Sequence, residues 1–407
     1  MKKLFKRIYL DYAATTPVDP RVVKAMQPFW SERFANPSAL YKSGLDAHTA
    51  VAESRAAIAQ ILNAKPSEII FTAGGTESNN LAILGMAQAY QKQHGKPGHI
   101  ITTPIEHHSV LHVVEALKNW GWQISYAPVD SEGFINLEDL KKLAKKDTAL
   151  VSVMYANNEI GTIEPIAEVG KWLTGLNKAR FAKGLGRILF HTDACQAAGT
   201  LSLDVQELKI DLLTLNGSKI YGPKQTGILF VRTGVKLEPI IHGGGQERDL
   251  RSGTENVPGV VGLASALSLV VKDQKKENAR LITLRNYLDD RLSKKVKGIK
   301  TNGPALSSKK DSKRLPNNLN FTIDKVEGEA LMLYLDAAGI EVSTGSACTT
   351  TSEDPSHVLV AIGISKAQAY NSIRLTLGKQ TTKAELDRVI GILPGLTEQL
   401  RRTVSEV

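Results

Sequence analysis

Cysteine is scarce: Cys195 and Cys348 are the two in 407 residues. That excludes a disulfide framework and fits a reducing compartment, so each is read as a free thiol. Long apolar runs are missing as well. The uncharged stretch GVVGLASALSLVV, starting at Gly259, is among the longest and falls short of the ~18 residues needed to span a bilayer. The opening MKKLFKRIYLDYAATTP is basic, but Asp11 interrupts its apolar part, so no signal peptide and no membrane are expected and the protein is read as cytoplasmic. Extended charge runs of one sign are also absent. The 51 basic and 41 acidic residues give +10, yet the cations are scattered in pairs such as Lys145-Lys146 and Arg401-Arg402, without interleaved aromatics. This balance suits acidic small molecules or acidic partner proteins, and direct nucleic-acid binding is not expected. No repeat or low-complexity tract is visible.

What is there is ordinary globular usage, 42% apolar and 23% charged, in a chain long enough for two or three domains, or one large domain with an appendage. From about residue 65 to 232, short β-rich runs alternate with helix-like segments. That pattern predicts an α/β fold with a mostly parallel central sheet flanked by helices. Predicted strands cover 68–73, 98–104, 123–130, 149–157, 187–194, 211–217 and 226–232. Several are continuous apolar runs, as strands covered on both faces should be. After HGGGQERDLRSGTENVPG (242–259) a helical pattern runs to about 296, and strands are predicted in NNLNFTID and SIRLTLG, with a last helix after Thr382. The expected division is a large domain over 15–258 and a smaller α+β domain formed by 1–14 and 259–407. The basic, glycine-containing segment LNKARFAKGLGR (176–187) reads as a surface insertion without an assigned function.

Several segments could hold chemistry. TAGGTESNNLAI follows a predicted strand and opens a predicted helix, so Gly74, Gly75 and Thr76 offer a phosphate cup or, equally, a plain helix cap. HTDACQ puts Asp193 at a strand's carboxyl end, and NGSKIYGPK puts Lys219 after the next strand, 219 − 193 = 26 residues on, which is one crossover unit. The two could form a structural ion pair. With the cup they make sense as a pyridoxal 5'-phosphate site, the lysine forming a Schiff base and the carboxylate keeping the pyridine nitrogen protonated. Asn158 and Gln196 could hydrogen-bond the ring oxygen or the substrate, or cap turns. In EHHSVLH, His108 and His112 stand at i, i+4 spacing, but no third ligand is marked, so no metal is expected; His107 follows a strand and could lie across a cofactor ring. Cys348 lies in STGSACTTTSEDPS, the composition of an exposed loop, and is the nucleophile candidate; Cys195 reads as a buried small hydrophobe. Arg374, inside SIRLTLG, needs an anion, either a substrate carboxylate or an internal acid.

The set YLDYAATTPVDP, TAGGTESNNLAI, EHHSV, NNEIGT, HTDACQ, SKIYGPK, HGGGQERDLRSGT, VEGEAL, STGSACT and SIRLTLG resembles, in order and over nearly the whole chain, the cysteine desulfurases of the class V aminotransferase family, IscS/NifS type. The resemblance implies a PLP-dependent transferase of fold type I that converts L-cysteine to L-alanine. Lys219 would hold the cofactor, Asp193 would pair with its ring nitrogen, and His107 would stack on the ring and assist proton transfer. Gly75, Thr76, Asn216 and Ser218 would meet the phosphate, Asn158 and Gln196 the ring-oxygen region, and Arg374 the substrate carboxylate. Thr254 would reach the cofactor phosphate of the other subunit of a homodimer. Cys348 would take the sulfur as a persulfide and pass it to an iron-sulfur scaffold or a tRNA-thiolation enzyme. Selenocysteine lyase, β-lyase or a non-catalytic assembly scaffold are the competing readings. Two residues depart from the family: Asn216-Gly217-Ser218 replaces the usual Ser-Gly-His before the lysine, and Cys195 stands where threonine is more common.

Overall fold

The structure, a computed structural model, describes residues 7–306, 313–344 and 354–405. Its strands are β1 (Ile8–Tyr9), β2 (Ile69–Thr72), β3 (His99–Thr102), β4 (Gln123–Tyr126), β5 (Thr148–Ser152), β6 (Leu189–Asp193), β7 (Leu212–Asn216), β8 (Gly227–Val231), β9 (Ile299–Thr301), β10 (Asn318–Ile323), β11 (Ile340–Glu341) and β12 (Ser372–Thr376). Seven of them form one sheet in the order β2-β8-β7-β6-β5-β3-β4. All run parallel except β8, which is antiparallel to both β2 and β7. The apolar runs TALVS and GILFV are buried along their whole length because helices cover both faces of the sheet.

Sequence dictates how the sheet's carboxyl edge is finished. After β2 the chain turns at Gly74, φ 145°, a conformation open to glycine, and enters the helix Gly75–His94, which stops on the left-handed Gly95. The start of β8 is pressed against that turn: a Cβ on Gly227 would stand 2.7 Å from the Gly74 backbone. Reversed β8 thereby clamps the turn from below, and only glycine permits the approach.

Two further sheets lie apart from the first: antiparallel β12-β10-β9 and parallel β1-β11. Around them Leu10, Leu319, Phe321, Leu335, Ile373 and Leu393 form an apolar cluster of their own. The helix Val257–Lys295 belongs to both cores. Val257, Val260, Leu263, Leu267 and Val270 pack with the large sheet, while Leu281, Leu288 and Leu292 pack with the small one. Each such fully buried side chain contributes roughly 1.5–3 kcal/mol. The segment after β1 runs between the cores: Thr376 donates its N–H to Leu10, and Thr16 donates its own to Ser218, next to Lys219.

Among the described residues no helix is long and apolar enough to cross a membrane.

Candidate active site

At the carboxyl edge of the large sheet lies a cavity of about 200 Å³ whose walls include Gly75, Thr76, His107, Asn158, Asp193, Gln196, Asn216, Lys219 and Arg374. These residues come from separate stretches of the chain, and the strand ends bring them together. Cys195, Ser109, Ala13, Ala14, Met154 and Ala156 complete the lining.

The helix Gly75–His94 points its first turn at this cavity, so the amides of Gly75 and Thr76 have no intrahelical acceptor and meet the positive end of the helix dipole. Room there is tight: a Cβ on Gly75 would lie 2.8 Å from Cys195 Sγ and 3.5 Å from the Asn216 side chain. Asn216 caps the short turn that presents Lys219 by accepting from the Ser218 N–H at 3.0 Å. The Ser218 hydroxyl also donates to Asn216 Oδ1, at 3.0 Å, and Ser218 is not among the cavity's lining residues. Lys219 Nζ reaches into the cavity and donates to the Ala14 carbonyl.

Asp193, 6% exposed, ends β6 and accepts at both oxygens, from the Cys195 N–H at 2.9 Å and from Asn79 Nδ2 at 2.7 Å. His107 is the cap of the helix His108–Lys118, its Nδ1 accepting from the Ser109 N–H at 3.1 Å. Burial holds its imidazole below the usual range; Asp193 opposes that and Lys219 adds to it. The Cys195 thiol is pushed well up, first by burial and then by Asp193, so it stays protonated.

Arg374, 2% exposed, answers the question its sequence left open with a division of its guanidinium. Nη2 pairs with Asp11 at 2.8 Å and Nη1 reaches the Asn158 carbonyl at 3.3 Å. Nε is buried and has no hydrogen-bond partner among the described residues. Gln196 turns its amide to the Ala13 carbonyl at 3.0 Å while still lining the cavity. Thr254 lies elsewhere, in a cleft of about 260 Å³ with Thr72, Ala73, Glu247 and Arg251. Cys348 lies outside the described residues. The rings of His108 and His112 are 4.9 Å apart and those of His108 and His357 4.6 Å, and among the described residues no group of three or more His, Cys, Asp or Glu is placed to hold a metal.

Sequence reasoning passed over Asn79, Ser109 and Asp11. Asn79 sits one turn inside a helix, where an asparagine signals nothing in particular. Asp11 was visible within YLDYAATTP, but its partner is 374 − 11 = 363 residues away.

A half-buried lysine and a buried carboxylate in one cavity, beside a helix N-terminus on a doubly covered sheet, define a pyridoxal-phosphate enzyme of fold type I. Comparison with known proteins gives the family: the sequence profile described as aminotransferase class-V matches residues 8–389, and the chain belongs to that family. It is 48% identical to the cysteine desulfurase IscS of Dictyoglomus turgidum over 396 residues, 97% of this chain and 96% of that protein. A solved NifS-like protein superposes with a TM-score of 0.85 at 36% identity, over 98% of this chain and all of the other. The structure of SspA in complex with cysteine matches at 0.75 and 36%, over 91% of this chain and 98% of that one.

The family is pyridoxal-phosphate-dependent. The residues here fit that cofactor on their own chemistry. Uncapped first-turn amides suit a phosphate, Asp193 offers a carboxylate held by two N–H donors, and Lys219 supplies the amine.

Proposed function

We propose that this chain takes sulfur from L-cysteine, releases L-alanine and passes the sulfur on through Cys348. The observation that carries this reading is one cavity shared by Lys219, Asp193 and Arg374. Bound there, pyridoxal phosphate supplies an electron sink for an amino acid attached to it.

The chain's own residues divide the remaining work. The Gly75 and Thr76 amides and the Asn216 side chain would hold the phosphate, and Thr254 of a second copy would complete that cup in a homodimer. Asp193 would place its carboxylate beside the ring nitrogen, and His107 would pack against the ring. Asn158 and Gln196 would face the ring-oxygen region. Lys219 Nζ would bind the cofactor and, once displaced by substrate, is an amine able to move a proton at the substrate's α-carbon. Arg374 would orient the substrate carboxylate: its Nε lacks a partner among the described residues and its Nη1 contact is long, while Asp11 fixes the guanidinium plane. Cys348 would attack the substrate sulfur, the carbon–sulfur bond breaking as a sulfur–sulfur bond forms. Cysteine and enzyme thiol thus become alanine and enzyme persulfide with atoms and electrons balanced. The acceptor would be a protein, an iron-sulfur scaffold or a tRNA-thiolation enzyme, in the cytoplasm, where a two-cysteine chain keeps its thiols reduced.

The test is Cys348→Ala with cysteine as substrate. Retained cofactor absorbance with loss of alanine and persulfide formation supports the reading; unchanged turnover sinks it. Selenocysteine turned over by the variant and cysteine refused by both enzymes would move the assignment to a selenocysteine lyase.

A further inference from the structure

Asn79 is wholly buried, contributes nothing to the cavity wall, and yet spends both its amide hydrogens on two residues that line it. Nδ2 donates to Asp193 Oδ2 at 2.7 Å and to Ser109 Oγ at 2.8 Å. Ser109 Oγ in turn lies 2.8 Å from His107 Nδ1. The direction of every hydrogen in this chain is determined. A carboxylate only accepts, so the amide nitrogen of Asn79, not its oxygen, must face Asp193. The Ser109 backbone N–H can only donate, so His107 Nδ1 is an acceptor and carries no hydrogen. The Ser109 hydroxyl therefore accepts from Asn79 and donates to the same Nδ1. A neutral ring with a bare Nδ1 bears its proton on Nε2, and that nitrogen has no hydrogen-bond partner among the described residues.

We propose that Asn79 and Ser109 are positioning residues that tie Asp193 to His107 and leave His107 with its proton on Nε2, as a hydrogen-bond donor toward the occupant of the cavity. The proposal rests on the reading of the cavity given above and adds a division of labour to it. His107 cannot begin by taking a proton, because one ring nitrogen already has one and the other is engaged by Ser109; proton removal falls to Lys219. The chain also joins the two groups that would flank the cofactor ring, so a shift of Asp193 is felt at His107 through three hydrogen bonds. Cooperative polarisation makes the Ser109 hydroxyl a better donor while Asn79 donates to it. The charged and titratable groups around His107 are Asp193 from β6, Lys219 after β7, His108 and His112 on its own helix, and His357.

The decisive measurement is the imidazole nitrogen spectrum of the ¹⁵N-labelled holoenzyme, with His107 assigned from His107→Gln. A protonated Nε2 and a bare, hydrogen-bonded Nδ1 are expected; a proton on Nδ1 overturns the proposal. Ser109→Ala removes one donor to the neutral ring, so His107 should take up a proton about half to one pH unit higher, the size of one ordinary hydrogen bond. The acidic limb of kcat should move with it, and Ser109→Thr should restore both. Asn79→Leu should move His107 the same way and, by taking a charge-assisted bond from Asp193, raise the cofactor concentration for half-reconstitution roughly tenfold or more. Unmoved His107 titration in Ser109→Ala overturns the proposal whether or not Asn79→Leu folds. Failure of the native enzyme to form alanine from cysteine would remove the proposed function, while the nitrogen spectrum would still decide the hydrogen-bond chain.

Discussion

The two ends of the large sheet use the same kinds of side chain for opposite purposes. At the carboxyl end Asp193, Asn79, Ser109, His107 and Lys219 converge on an enclosed space. At the amino end lies a wider groove of about 560 Å³, where Thr148 bonds the His99 ring and Arg187 pairs with Asp211. Arg180, 6% exposed, lies in the segment that the sequence marked as a basic insertion. It donates to the carbonyls of Gly186, Lys145, Lys146 and Thr148. Lys96, Lys146 and Lys236 stand exposed around the groove. Charge and side-chain pairing alone therefore mark no chemistry: the carboxyl end is distinguished by bonded side chains that also leave selected atoms directed at a common enclosed space.

Substitutions can test that difference. Lys219→Ala should abolish turnover of cysteine and the absorbance of lysine-bound cofactor, leaving far-ultraviolet dichroism intact; a persisting bound-cofactor band would refute the assignment of the lysine. Arg180→Leu should do the reverse. It strands four carbonyls and should cost about 3 kcal/mol in urea unfolding, while the folded variant keeps its affinity for cofactor. A smaller effect should come from Glu164, buried beyond the carboxyl end of β5 where it accepts from the Ile135 N–H, whose carboxyl is pushed up to about 8 mainly by burial. Its folded form keeps a proton that the unfolded chain sheds near pH 4.5, so its contribution to stability is best below that pH and worsens as pH rises toward 8. Glu164→Gln should flatten that decline and gain about 2 kcal/mol at pH 8 by denaturant titration. Lys146→Ala should be nearly silent, within about 0.5 kcal/mol and without change in kcat, as befits an exposed lysine. A marked loss of activity there would erase the contrast between the two ends.

Much of this was readable beforehand. All seven strand ranges predicted between 68 and 232 contain or overlap a strand of the large sheet, and the helical pattern over 259–296 is the helix Val257–Lys295. Local apolar patterning decides such elements, so one sequence suffices. The lysine, the carboxylate and the cup were readable because they sit at strand ends, where topology gathers them. The reversal of β8 was not, since a buried strand looks the same in either direction. Nor was the double commitment of Arg374, which depends on Asp11 arriving from the far end of the chain, nor Asn79, whose meaning lies in what two other elements place against it. The departure at Ser218 has a local account: its hydroxyl serves the turn before Lys219.

The helix Val257–Lys295 has a thermodynamic consequence. Because one continuous helix presents an apolar stripe to each core, melting either core strips one end of a rod that the other needs whole. Heat should therefore meet a single cooperative unit, with one calorimetric transition, and a chain cut at residue 258 should yield two aggregation-prone pieces rather than two stable modules.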